Sequence, residues 1–532
     1  MKSLLTKIFA GLAVLFFMCG DVSAYTITLV TKGASADGSV FVSHSNDGFG
    51  SDPNVAFVPA KNHERGSLRP VYPSSAAVDE MPEYNCFDVP YLVAPERSEA
   101  YNFPDRPRTK AIGHIPEVEH TYAYIDAEYP VMNEHGLMLG ECTDRCGHLP
   151  EVAYTQGGGI FYSSELGRVA LERCKTAREA IELMGALIDE YGLYGTAEAL
   201  FVADRDEGWL FEMQPTPDGK GFWIAEKIPD GHFSIAANQL RIRAIREGDP
   251  NQIFNPRLPQ MLEQLGRVAY DAQGNLDWVK SLRGDEWIHP YYSMRRVWRG
   301  LSIVAPSLKL SPTVDDWDSD YYPLSVRPDK KLTAADVMNL YRDYYQGTEF
   351  DKSSSDFAGL FGSPYHYENE KLTERGILSA KTAYTYVAQV NDELPAPICW
   401  MSINTPFENP FVPFAVEKMP DAYCKALRDT FDAAKMYWAS VQVMALTQGF
   451  WNSISPTVAE AVQQSEANSL KLVEASRNLP KDKFVAALNR NAAEVFDDWK
   501  NLYTRLLLKY DAGSGVTYDQ RHLPAPDVPT KY

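Results

Sequence analysis

The stretch from Ala24 to Asp47 constrains this chain most. It reads Ala-Tyr-Thr-Ile-Thr-Leu-Val-Thr-Lys-Gly-Ala-Ser-Ala-Asp-Gly-Ser-Val-Phe-Val-Ser-His-Ser-Asn-Asp. β-branched and apolar residues dominate Tyr25 to Thr31 and Ser39 to Ser45, and Ser35-Ala-Asp-Gly38 between them is turn chemistry. Two strands joined by a short connection are therefore expected. The first begins where an export signal ends. Lys2 and Lys7 give residues 1–24 a basic start, Ile8 to Cys19 is an apolar run, and Val22-Ser23-Ala24 is a small-residue cleavage site. That run is shorter than the roughly 20 residues needed to span a bilayer. A periplasmic or secreted protein, released by signal cleavage, follows as the expectation.

The formal net charge of −20 repels phosphate backbones and speaks against a nucleic-acid partner. No segment after the signal is apolar enough to cross a membrane, so no membrane partner is expected, and nothing specifies an oligomer. Six cysteines follow the signal: Cys86, Cys142, Cys146, Cys174, Cys399 and Cys424. Cys142 and Cys146 are close enough for a local bridge, and equally good as free buried thiols.

Further along, residues 48–115 read as long surface loops. His120 to Ile125 alternates as a strand, and Tyr129 to Glu141 reads as strand, turn at Asn133 to Gly136, and strand. Ser163 to Tyr191 carries a helical apolar rhythm with a break near Thr176. Ala199–Ala203 and Trp209–Met213 form a predicted hairpin. Gly221–Ile228 and His232–Ala236 are expected to pair across Pro229-Asp-Gly231. Leu332 to Tyr345 is a helix entered at Thr333, and Tyr384–Gln389 and Ile398–Ile403 are strands. After Asp421 the composition turns to Ala, Lys, Leu, Glu and Gln, predicting helices over Ala422–Leu446, Val458–Arg477 and Asp482–Leu507, punctuated by Pro456 and Pro480. Strands followed by helices and further strands suit a layered α+β fold.

The motif Ala34-Ser35-Ala36-Asp37-Gly38-Ser39, at this distance from a strand start, resembles the opening of the C69 dipeptidase family, a branch of the N-terminal nucleophile hydrolases. Asn133-Glu-His-Gly-Leu137, Thr176 to Ile181, Pro229-Asp-Gly231, Ala237 to Ile242, Tyr322 to Val326, Asp343 to Asp351 and Thr382 to Val387 extend the likeness to about residue 415. The resemblance implies a four-layer α-β-β-α sandwich over 25–415 with a helical C-terminal extension over 416–532. It implies hydrolysis of the amide bond of dipeptides or small N-acyl amides, with no metal and no cofactor. In such enzymes the mature first residue attacks, and its own α-amine acts as base.

Several residues acquire roles by that resemblance. Asn133 corresponds to an oxyanion-hole Asn, with a turn residue as the plain alternative. Asn238 would shape the same site, and Asp47 would hold the amine or a substrate amine, with a solvated loop acid as the plain alternative. His44 stands where many relatives carry Arg, and Arg241 is suited to a substrate carboxylate or to a structural salt bridge. Tyr25 occupies the family's Cys position. A phenol of pKa near 10 is a poor nucleophile beside an amine of lower pKa, and its ring fills the space a substrate carbonyl would need. Three readings follow. Thr26 becomes the first residue after further trimming, although strand alternation turns it away from Tyr25; Cys142 serves; or the chain binds peptides without cleaving them.

Overall fold

The computed structural model of the chain describes residues 25–48, 51–74, 92–144, 149, 152, 157–282, 290–313, 322–354, 358–365 and 375–510. The predicted signal segment and Cys86 and Cys146 lie outside them. The protein is mixed α and β, built on antiparallel sheets with a helical C-terminal region.

The strand Thr26–Val30 is interior to a seven-stranded sheet. It lies between Val40–Asp47 and Phe233–Ala236, and Thr382–Val390, Ile398–Ile403 and Val412–Ala415 continue the sheet beyond Val40–Asp47. An eight-stranded sheet centred on Met138–Asp144, Ala197–Ala203 and Gly208–Pro215 packs against it. Glycines let the two backbones approach. A Cβ on Gly140 would sit 2.9 Å from Val42 Cγ1, and one on Gly208 would sit 2.6 Å from Leu29 Cδ2.

Helices Ser163–Arg173 and Ala177–Tyr191 cover the outer face of the eight-stranded sheet. The break between them is a capping box, in which Thr176 and Glu179 exchange side-chain-to-backbone hydrogen bonds. Met294–Val304 and Ala334–Leu340 pack on the seven-stranded sheet, the latter entered by the capping box of Thr333 and Asp336. The helices Met436–Gly449, Trp451–Ser476 and Lys481–Tyr510 follow, the last lying on the strand Val412–Ala415. Trp499 Nε1 donates to Asn409 Oδ1 at 2.9 Å there. No helix among the described residues is long and apolar enough to cross a membrane.

Some expectations need correcting. Gly221–Ile228 and Phe233–Ala236 do not pair: the first belongs to the eight-stranded sheet and the second to the seven-stranded one. The edge that Phe233–Ala236 fills is that of Thr26–Val30, with Ile27 opposite Ala236, so Pro229 to His232 carries the chain from one sheet to the other. The first C-terminal helix starts at Met436 rather than Ala422, because Asp421–Tyr423 closes as a single 3-10 turn. Pro456 lies inside the helix Trp451–Ser476 rather than ending one. At the sixth position of that helix it forgoes the one hydrogen bond its N–H would make to the Asn452 carbonyl.

Candidate functional site

Strand alternation divides the first residues between two environments. Ile27 and Leu29, with Val42 and His44 across the ladder, face the core between the sheets, and Tyr25 joins that core. Thr26 and Thr28, with Ser43, Ser45 and Asp47, face the helices on the other side, where every polar side chain is buried. Thr26 thus points away from Tyr25, as alternation predicts.

On the core side the Tyr25 ring rests on His44 and Tyr129, with centroids 5.3 Å away in each case. Its hydroxyl is 3.4 Å from that of Tyr129. His44 Nδ1 donates to the Glu141 carbonyl at 2.6 Å, which leaves Nε2 as a buried acceptor with no partner among the described residues. Burial holds the His44 pKa down at about 3, so the ring is neutral and brings no charge to the site. Beside it, burial pushes Glu141 up to about 8, and burial, then the Glu141 charge, raises its neighbour Glu198 well above the ordinary carboxylate value.

On the helix side one guanidinium gathers the strand start. Arg296, from the helix Met294–Val304, donates through Nη1 to the Tyr25 carbonyl at 2.8 Å and to Thr26 Oγ1 at 3.0 Å. Through Nη2 it donates to Asn238 Oδ1 at 2.7 Å. It is fully buried. Burial, and next the nearby Arg375, lower its pKa to about 10, which still leaves it charged at neutral pH. Asn238 is held at φ 58°, a left-handed conformation that Asn tolerates. Its Nδ2 donates to the Thr143 carbonyl at 2.6 Å and its backbone N–H to Cys142 Sγ at 2.8 Å.

The Thr26 amide N–H donates to Ser45 Oγ at 3.3 Å, and Ser45 Oγ donates to Asp47 Oδ2 at 2.7 Å. Asp47 also accepts from Thr382 Oγ1 at 2.5 Å and is ion-paired with the buried Arg375. The Asp47 carboxyl group, reached through one hydroxyl, therefore stands behind the nitrogen of residue 26.

The sequence model of peptidase family C69 matches residues 24–464. This chain belongs to peptidase family C69. Among similar proteins is a probable dipeptidase of Latilactobacillus sakei, 24% identical over 426 residues that cover 79% of this chain and 80% of that one. A dipeptidase of Bifidobacterium longum is 27% identical over 66% of this chain and 64% of its own length, and a probable dipeptidase of Salmonella dublin is 26% identical over 74% and 80%.

Within this C69 peptidase, the structure draws Tyr25, Thr26, His44, Asp47 and Asn238 around one strand end and leaves Asn133 and Arg241 out of that hydrogen-bonded cluster. The Asn133 carboxamide is spent on local structure. Its Nδ2 donates to the Leu171 and Cys174 carbonyls at 2.9 and 2.8 Å, closing the end of the helix Ser163–Arg173. Its Oδ1 accepts from the His135 and Leu137 amides. The turn role describes it. Arg241 Nη2 donates to the carbonyls of Tyr322 and Pro323 at 3.3 and 2.7 Å, and Arg241 lines a separate cavity. Cys142 is a free thiol, 3.5 Å from the Tyr25 carbonyl oxygen. Burial, then Asp144 and Glu141, raise its pKa well above the ordinary thiol value, which keeps it protonated and poorly nucleophilic.

Sequence reasoning missed Arg296 and Arg375, which lie 271 and 328 residues from their partners Tyr25 and Asp47. The one available signal for Arg296 was its place in Met-Arg-Arg-Val-Trp-Arg-Gly-Leu. There it shares a helix face with Tyr292 and Gly300, whereas Arg299 pairs with Asp343.

Proposed function

We propose that this C69 peptidase is an exported dipeptidase of the N-terminal nucleophile hydrolase type, cleaving dipeptides or small N-acyl amides with Thr26 as its mature first residue. The observation that carries this reading is the pairing of Tyr25 O and Thr26 Oγ1 on one Arg296 nitrogen, at 2.8 and 3.0 Å. Once the chain is cut before Thr26, the nitrogen that donates to Ser45 becomes an α-amine of pKa about 7.7–8.0, backed by Asp47. That amine takes the Thr26 hydroxyl proton as the oxygen attacks the substrate carbonyl. The vacated Arg296 N–H then faces the developing oxyanion where the Tyr25 carbonyl oxygen now lies. One such donor contributes about 2.7–4 kcal/mol in well-studied enzymes. Collapse of the tetrahedral intermediate passes the proton from the ammonium to the leaving amine, and water releases the acyl group by the same route.

Removal of Tyr25 also empties the space its ring occupies against His44 and Tyr129, on the face of the sheet opposite the Thr26 side chain. The names of the relatives support dipeptides as the substrate class. A second reading rests on the same ring: with Tyr25 retained, its burial against His44 and Tyr129 blocks the site, and the protein binds peptides without cleaving them.

The test is the mass of the exported amino terminus together with turnover of a dipeptide panel. A start at Thr26 with hydrolysis that Thr26→Val abolishes supports the first reading. A start at Tyr25 without turnover, and activity gained in Tyr25→Cys, supports the second.

A further inference from the structure

From Met436 to Ala459 the sequence has no Asp, Glu, Lys, Arg or His, in a chain whose residues are 23% charged. The helix Met436–Gly449 makes up most of that stretch, and its inward side chains Met436, Ala439, Val443 and Thr447 are buried. Its outward face lacks charge as well. Tyr437, Trp438, Val441 and Met444 are half-buried there, and Ala445 and Gly449 are exposed. A helix apolar on both faces ordinarily lies inside a protein, and one left at the surface marks a contact. An aromatic group stands at one end of the face. Trp438 is fixed by donation from Nε1 to the Leu427 carbonyl at 3.1 Å. Its ring lies 5.3 Å from Tyr437 and 5.4 Å from Phe431, which is 59% exposed. The other end is open: a Cβ added to Gly449 would meet no atom within 4 Å. Bulk at one end and space at the other make the face complementary to itself when turned end for end.

Charge selects the occupant. The net charge of −20 repels an anionic lipid surface, and a cationic partner would be drawn to carboxylates that this face does not have. A second copy meets neither obstacle, because an isologous contact sets the uncharged face against itself. We propose that two copies of this chain associate through the helix Met436–Gly449, antiparallel about a two-fold axis between Val441 and Gln442. That register lays Trp438 of each copy on Ala445 of the other and Lys435 beside Gln448. Large side chains then meet small ones, and no charge meets a like charge. At 1.5 Å per residue the helix is about 21 Å long. A contact of that extent falls among the smaller interfaces, so the dimer forms and separates with concentration. The proposal is independent of the catalytic reading above and holds whether or not the chain cleaves peptides.

Sedimentation velocity of the mature full chain, run from micromolar to submillimolar protein, tests this. The dimer fraction is expected to rise with concentration. Ala445→Glu, at an exposed position, should weaken association at least about tenfold with thermal unfolding unchanged. Gln442→Cys, beside the axis, should give a covalent dimer under mild oxidation. It should do so faster than Leu508→Cys, whose position is 79% exposed and lies outside this face. A protein that stays monomeric throughout the range overturns the proposal. So does a dimer that Ala445→Glu leaves intact, or cross-linking no faster at 442 than at 508, because either places the interface elsewhere. Flotation with phosphatidylcholine vesicles is the last arm: wild type carried upward and Ala445→Glu left behind would assign the face to a lipid surface instead.

Discussion

Arg296 Nη1 donates to Thr26 Oγ1 at 3.0 Å while the same nitrogen holds the Tyr25 carbonyl oxygen. A cation placed this way favours negative charge on either oxygen, and burial keeps water from screening it. Arg296→Ala should therefore lower kcat by about 100- to 1,000-fold, the range seen when one oxyanion donor is lost. Arg296→Lys should recover little of it, because an ammonium cannot span Tyr25, Thr26 and Asn238 together. Steady-state kinetics on a dipeptide, with KM and kcat resolved, checks this; a change confined to KM would contradict it.

Asp47 and Arg375 are both fully buried and paired. Replacing Asp47 by Asn removes the buried carboxylate that Arg375 pairs with and should destabilise the protein by about 3–5 kcal/mol, while a combined Asp47→Asn, Arg375→Met change should cost less than Asp47→Asn alone. Denaturant unfolding of the set measures it. Both variants should lose turnover, since the carboxylate behind the residue 26 nitrogen is gone.

The buried pair Glu141 and Glu198 sets a pH dependence. Its folded pKa values lie above the ordinary carboxylate value, at about 8 for Glu141. The folded state therefore keeps a proton that the unfolded chain has released. This stabilising contribution is complete below about pH 4.5 and is lost as pH rises through about 8. Thermal unfolding should show that decline in the wild type, and Glu141→Gln should flatten it.

Asn133 is expected to matter for stability and not for chemistry. Asn133→Ala leaves the buried Leu171 and Cys174 carbonyls without their donor, a loss of about 1–3 kcal/mol, with kcat on a dipeptide unchanged at temperatures where the variant is folded. A loss of kcat by two orders of magnitude in folded protein would return Asn133 to the reacting centre.

Much of the fold was legible because local chemistry wrote it. The Thr333 cap, the helix pair broken near Thr176, the hairpin after Ala197 and the alternation that separates Tyr25 from Thr26 all rest on neighbours within a few residues. The pairing of Gly221–Ile228 with Phe233–Ala236 failed for a different reason. A short Pro-Asp-Gly link fits a hairpin and a sheet-to-sheet crossing equally well, and only the open edge of Thr26–Val30 decides between them. At the site, family likeness marked Asp47 and Asn238, but the two arginines that hold them arrive through tertiary contacts that no spacing encodes. Asn133 misled because an Asn suited to an oxyanion hole and an Asn suited to a helix end are the same residue type, separated only by where its amide points.

The crossing at Pro229–His232 also fixes an order of events. Residues 26–30 gain a second neighbour only when residues 233–236 exist, and the Arg296 that grips their start is later still. Synthesis and assembly thus run in opposite senses: the amino-terminal segment must wait, loosely held, for more than half the polypeptide before its pocket comes into being. A chain truncated before that helix would carry the strand start without the guanidinium that holds Tyr25, Thr26 and Asn238 together.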